Sequence, residues 1–236
     1  MSSVSIRYPQ FLACCQSLTV DEDVGHGSGD SLLLQLTHPA TPRPKRLVGI
    51  TSLASHHHRA FQRLQDTQIR NATARDIEVE LYLGNAVYHA SATSTSKHPL
   101  HPDGGEYSTI LALDCAYHFD TRHDFLSQSF EHLSRGGKIA LADICFSNVP
   151  SPLVRYALGL LGVMPTANIM TGQEYRRAME KIGYIDVTLV DISDDVFPGF
   201  MHFLSKRGLL WKLFVGLFGM LVKGGARYVL VTGQKP

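Results

Sequence analysis

Two hydrophobic periods take turns along this chain. Arg46-Leu47-Val48-Gly49-Ile50-Thr51, Tyr107 to Asp114 and Lys138 to Ile144 are short apolar runs with the length and content of buried strands, and Leu18-Thr19-Val20 reads the same way. Glu78-Val79-Glu80-Leu81-Tyr82-Leu83 alternates and predicts another strand. Asp186 to Ile192 and Ala226 to Gly233 complete the set. Between them lie helical patterns: Ser31 to Leu36, Arg59 to Gln65, Phe125 to Ser134 stopped by Arg135-Gly136-Gly137, and Thr171 to Tyr184 with a capping threonine and a terminal glycine. The proline-rich Thr37 to Lys45 cannot continue a helix, and the polar, glycine-containing stretch 91–106 predicts a mobile surface loop.

Two stretches are apolar without a strand's brevity. The first, about 150–168, is punctuated by prolines and reads as core packing or a partner contact. The second, inside 197–224, holds Leu209 to Val222, apolar almost all round apart from Lys212. It is short for a membrane span, so a core or subunit-interface helix is expected, with peripheral membrane contact as the second reading. Gly216 and Gly219 permit another backbone to approach closely.

The 236 residues suffice for one sizeable α/β domain, and a single domain over 1–236 is expected. A net charge of +1 gives no field to attract nucleic acid, so no nucleic-acid partner is expected. Charged residues are 18% and hydrophobic ones 44%, so part of the surface is covered by something other than charge: a partner protein, a lipid or an apolar substrate. Cys14, Cys15, Cys115 and Cys145 form no metal-type pair or disulfide framework, and adjacent Cys14 and Cys15 suit no structural bridge. Residues 1–17 are too few for a domain and carry no secretory signal, so a cytoplasmic location is expected. Three consecutive histidines, His56-His57-His58, point about 100° apart on a helix and read as a solvated face; no metal site is expected.

The chemistry gathers around Asp23-Val24-Gly25-His26-Gly27-Ser28-Gly29-Asp30, read as a glycine turn between a strand and a helix. The third glycine comes one residue too early for a dinucleotide fingerprint, and no Lys-Ser/Thr pair follows to make a P-loop. An acidic residue before the first glycine suits a positively charged ligand and repels phosphate. This pattern resembles the D/E-x-G-x-G-x-G motif of class I S-adenosylmethionine (SAM)-dependent methyltransferases. The resemblance implies that Asp23, Gly25, Gly27 and Gly29 hold the methionine end of SAM.

Further segments resemble the same family. Gly49-Ile50-Thr51 is similar to a G-I-T segment of its small-molecule subgroup, which puts Thr51 and Ser52 beside the ribose where many members carry a carboxylate. His56 stands where members carry a glutamine. Gly84-Asn85-Ala86 resembles G-D-A, so Asn85 and Ala86 face the adenine. Leu133 to Ile139 looks like L-x-P-G-G-x-L, with Arg135 in place of proline.

Asp114-Cys115-Ala116-Tyr117-His118, just past the fourth strand, resembles the D/E-x-x-x-H arrangement of phosphoethanolamine and related N-methyltransferases. It implies Asp114 at the cofactor's amino-acid end and His118, with Tyr117, as acceptor-orienting group or general base. The reading of Tyr117 and His118 as an aromatic pair closing the sheet edge stays open, as does Asp114 as a helix cap. Tocopherol and coclaurine methyltransferases belong to the same subgroup.

The fold implied is α/β, a three-layer sandwich on a seven-stranded, mostly parallel sheet with an antiparallel last strand. The activity implied is methyl transfer from SAM, with S-adenosylhomocysteine as product, to a lipophilic small molecule of secondary metabolism, covered by the 150–168 insertion. Two alternatives remain open. One is a methyltransferase-like enzyme running a cyclisation or dehydration; the other is a non-catalytic subunit docking a partner, in a homo- or hetero-oligomer through the apolar C-terminal helix.

Overall fold

A computed structural model describes residues 20–39, 41–90 and 98–236. Leu18, Thr19, Cys14, Cys15 and the rest of 1–17 lie outside the described residues, as does 91–97 of the expected loop. In chain order the elements are β1 (Val20–Val24), α1 (Asp30–Thr37), β2 (Arg46–Thr51), α2 (Ala54–Arg70), α3 (Ala72–Arg75), β3 (Glu78–Leu83) and β4 (Tyr107–Leu113). A 3₁₀ turn (Ala116–His118) follows, then α4 (Arg122–His132), β5 (Leu133–Phe146), α5 (Pro152–Leu160), α6 (Gly172–Ile182), β6 (Ile185–Asp191), α7 (Ser193–Ser205), α8 (Leu209–Lys223) and β7 (Ala226–Gln234).

The seven strands form one sheet in the order β3-β2-β1-β4-β5-β7-β6. Pairings from β3 across to β5 are parallel, and β7 runs antiparallel to both its neighbours. Leu32, Leu36 and Leu64 of α1 and α2 pack on one face, while Phe125 and Leu126 of α4 and Tyr175 and Met179 of α6 pack on the other. The result is the three-layer α/β sandwich expected. The chain leaves β1 toward β2 and β3, then returns to lay β4 on β1's other side. Strand order therefore reverses between β1 and β4, and a crevice opens at their C-terminal ends.

Several elements differ from the sequence reading. In the described residues β1 runs through Asp21-Glu22-Asp23-Val24, because Glu22 and Asp23 are wholly buried between the sheet's layers. The pattern had placed the strand at Leu18-Thr19-Val20 and opened the turn at Asp23. β5 begins at Leu133, so Arg135-Gly136-Gly137 lies within the strand as an irregularity, with Gly136 at φ 76°. Residues 98–106 are not a loose loop: Leu100 is a core residue, and the His98 ring binds the Asn85 carbonyl at 2.8 Å. α7, with Pro198 inside it, had no counterpart in the pattern. The core reading of the C-terminal apolar helix is wrong, since α8 has no buried residue.

Candidate functional site

A cleft of about 1110 Å³ opens at the β1/β4 reversal. Its floor is the glycine turn, where the three glycines have different reasons to be glycine. Gly25 (φ 71°) donates its N–H to the Ile50 carbonyl at 2.8 Å, and a Cβ there would fall 2.6 Å from Cys115 Sγ. Gly29 (φ 87°) caps α1, and a Cβ would meet Ala60 of α2 at 3.0 Å. Gly27 (φ 54°) has nothing within 4 Å of where a Cβ would be, so its backbone faces open space in the cleft. Arg63 of α2 clamps the turn, donating to the Ser28 carbonyl and pairing with Asp30, both at 2.7 Å.

Asp23 is fully buried and is absent from the cleft wall. Its Oδ2 accepts from Gln35 Nε2 at 3.0 Å, its Oδ1 has no partner, and burial pushes its pKa up to about 7 against the pull of hydrogen bonds from Ser31 and Gln35. Ser31 itself lines the cleft. His26, between two of the glycines, is 5% exposed; its Nδ1 lies 3.0 Å from the Gly27 carbonyl and its Nε2 has no partner. Burial lowers its pKa to about 4, so the ring is neutral at pH 7.

The ends of the next strands supply the remaining walls. Thr51, Ser52, Leu53 and His56 follow β2, and Leu83, Gly84, Asn85 and Ala86 follow β3. Asn85 Oδ1 accepts from the Val87 N–H at 3.2 Å, which uses one of its two lone pairs locally. After β4, Asp114 takes a left-handed backbone (φ 59°) and donates its N–H to the Ala142 carbonyl at 2.8 Å. That bend brings Asp114, Cys115, His118, Phe119 and Asp120 to the cleft. Cys115 donates its thiol to the Val24 carbonyl at 3.2 Å, and burial pushes its pKa well up, so it remains a thiol.

Tyr117 departs from its expected place. Its ring lies 4.1 Å from His118, centroid to centroid, and its hydroxyl donates to Asp114 Oδ1 at 3.3 Å. Yet it is not on the cleft wall: it packs against Phe146, Leu158, Met164 and Ile169. Behind it, buried Asn168 donates to the carbonyls of Tyr117 (3.1 Å) and Phe119 (2.6 Å) and accepts the Arg122 N–H (2.8 Å). The apolar insertion thus holds the 117–122 segment through one carboxamide. Deeper still, Arg122 and Asp143 form a wholly buried ion pair at 3.0 Å, with Tyr175 donating to Asp143 at 2.8 Å.

Among the described residues, Asp30, Asp114 and Asp120 line the cleft and no lysine or arginine does. That charge pattern favours a cationic ligand. A glycine cradle, an aspartate and a histidine on one cleft, and strand order reversing at its floor are now all in place.

No protein-family profile matches the chain. Its sequence is 26% identical over 194 residues to the erythromycin 3''-O-methyltransferase of Saccharopolyspora erythraea, taking in 78% of this chain and 56% of that one. The chain therefore spans a little over half of that relative's length. Among solved structures, the geranyl diphosphate C-methyltransferase of Streptomyces coelicolor A3(2), in complex with S-adenosyl-L-homocysteine, superposes with a TM-score of 0.70 at 19% identity, covering 98% of this chain and 81% of that one. The chain has the class I SAM-dependent methyltransferase fold.

The Haemonchus contortus phosphoethanolamine N-methyltransferase 2, in complex with SAM, shares this fold at a TM-score of 0.70 and 11% identity, over 98% of this chain and 52% of that one. So does the [4+2]-cyclase SpnF, at 0.70 and 15%, over 98% and 81%. Within the methyltransferase fold, the glycine turn and residues Asp114, Cys115 and His118 of the next turn line one cleft, at the ends of the adjacent strands β1 and β4. Residues that sequence reasoning missed are His26, Ser31 and Cys115 on the wall and Asn168 behind it. His26 and Ser31 lie within or next to the glycine motif, and Cys115 inside the second one, so their positions were visible although their roles were not.

Proposed function

We propose that this chain transfers the methyl group of SAM to a nitrogen, oxygen or carbanionic carbon of an uncharged, lipophilic small molecule. The observation that carries this reading is the glycine cradle opening onto the same cleft as His118, with aspartates as its only charged side chains among the described residues. The residues fit the cofactor: Gly27 leaves room where a side chain would intrude, and the carboxylates suit a sulfonium and an α-amino group. Bound there, SAM supplies an electrophilic methyl group and leaves as S-adenosylhomocysteine.

In this reading Gly25, Gly27 and Gly29 shape the seat of the methionine portion. Asp23, held by Gln35, braces that turn from beneath. Thr51, Ser52 and His56 face the ribose, Asn85 and Ala86 the adenine, and Asp114 the amino-acid end. His118 orients the acceptor and takes the proton its nucleophilic atom gives up, while Tyr117 props the ring from behind. Most of the rate comes from holding the nucleophile in line. Among the described residues the wall offers no lysine or arginine to pair directly with a diphosphate-bearing acceptor. One domain over 1–236, acting in the cytosol on a secondary metabolite, completes the reading.

The test is calorimetric titration with SAM and S-adenosylhomocysteine, followed by a screen of lipophilic acceptors for methyl transfer from labelled SAM. Micromolar binding with turnover supports the proposal. Binding without transfer to any acceptor favours the non-methylating reading, and no binding removes both.

A further inference from the structure

We infer that α7, α8 and α5 form a face that docks onto an anionic lipid bilayer. α8 spends one side on the protein: Phe218 packs edge-on against Phe197 and Phe200 of α7, at 5.1 and 5.5 Å between ring centroids. Its other sides project away. Leu209, Leu210, Leu213, Phe214, Leu217 and Met220 are between 43% and 80% exposed. α5 adds Leu153, Tyr156 and Leu160, each 66% exposed or more. The two helices share a floor, since Leu158 of α5 and Leu221 of α8 join one cluster with Phe146 and Ala226. Contiguous apolar surface on this scale marks an interaction site.

Charge decides what covers it. The chain as a whole has 22 basic and 21 acidic residues, yet from Val196 to Pro236 there are six lysines and arginines and no aspartate or glutamate. From Ile144 to Gln173 there is Arg155 and again no acid. Lys206, Arg207, Lys212 and Lys223 border the apolar helix, and the Arg207 guanidinium lies over the Phe203 ring at 4.3 Å. Arg227 pairs with Asp191 and Lys235 donates to the Glu131 carbonyl, but Lys206, Arg207, Lys212 and Lys223 remain beside the apolar helix, and a second copy of this face would meet those four cations with only Asp194 and Asp195 at the start of α7. An anionic headgroup layer supplies the missing negative charge, and its acyl region takes the leucines. α8 lies along the interface and does not cross it: fifteen residues rise only about 22 Å, and no helix among the described residues is long and apolar enough to span a membrane. Trp211 beside Lys212 puts an amphipathic ring at headgroup depth.

The face adjoins the candidate site, because Tyr117 packs into the cluster beneath α5 and α8 and its neighbour His118 lines the cleft. An acceptor dissolved in the bilayer would meet the protein on the side where His118 stands.

The chain contains one tryptophan, Trp211, so its emission reports on α8 without a label. The purified protein is floated with vesicles of phosphatidylcholine alone and of seven parts phosphatidylcholine to three of phosphatidylglycerol, at low and high salt, with Trp211 emission recorded in each. The expected result is flotation with the anionic vesicles, a blue shift of Trp211, quenching by brominated acyl chains, and weakening by salt. The pair Leu213→Glu and Leu217→Glu, on exposed positions that leave the core intact, should lower partitioning about a hundredfold or more. Wild-type protein that stays in solution with unshifted Trp211 emission overturns the inference. So does a dimer that dissociates in the double variant while the wild type ignores vesicles, since the face then covers itself. No cofactor enters the assay, so this result is independent of the methyl-transfer reading.

Discussion

Replacing Glu22 with glutamine should change how stability depends on pH. Glu22 sits in the middle of β1 at 0% exposure, and neither carboxylate oxygen has a hydrogen-bond partner. Burial, and secondarily the neighbouring Asp23, push its pKa from 4.5 up to about 8. The folded protein therefore keeps a proton on Glu22 at pH 7, whereas the unfolded chain has released it. A raised folded-state pKa means that the contribution is complete below pH 4.5 and is lost progressively as the pH climbs to 8. One titrating group changes stability by about 1.4 kcal/mol per pH unit inside that window. Between pH 5 and 7 the loss assigned to Glu22 is then about 2.5 kcal/mol. Glutamine matches the protonated acid in shape and does not titrate. Urea unfolding followed by far-ultraviolet circular dichroism at pH 5, 6 and 7 measures both slopes, and any fixed cost of the amide cancels between them. Wild type should lose about 2–3 kcal/mol more than E22Q across this range. Parallel curves would refute the reasoning, because they would mean that Glu22 is solvated or paired in the folded protein.

Gly25→Ala puts a methyl group 2.6 Å from Cys115 Sγ at φ 71°, so SAM affinity should fall at least about tenfold by calorimetry, and thermal stability should drop as well. His118→Ala should cost about 10²–10³ in kcat while leaving SAM affinity within a few-fold, as read by methyl-transfer kinetics beside calorimetry; an equal loss of binding would move His118 from the acceptor to the cofactor. Asn168→Ala deletes three buried hydrogen bonds and should lower unfolding free energy by about 2–4 kcal/mol, with kcat falling as the 116–122 turn loosens. Thermal melts and turnover rates check both parts.

Legibility in the sequence followed the physics of each element. β2 and β3 end where the pattern ends, because each is an apolar or alternating run bounded by residues that leave the sheet. β1 was obscured because Glu22 and Asp23 sit in the core as acids that resist ionisation, and a hydropathy pattern reads them as solvent-facing. Asp23 shows the limit at the site: a motif gives a carboxylate beside a glycine turn, but whether it faces the ligand or braces the turn depends on Gln35. Tyr117 and His118 are neighbours in sequence, yet the 3₁₀ turn sends one ring into the insertion and the other to the cleft. α8 was read as apolar and proves so, but apolarity states that a helix avoids water without naming what shields it.

Asn168 has a consequence for anyone reshaping this protein. Its carboxamide bonds to three backbone groups of the 117–122 segment, so the insertion and the turn bearing His118 form one mechanical unit. Segment 150–168 is therefore not an exchangeable cassette. A graft from a donor that lacks an asparagine at its end would exchange the segment and, in the same cut, release the turn that bears His118.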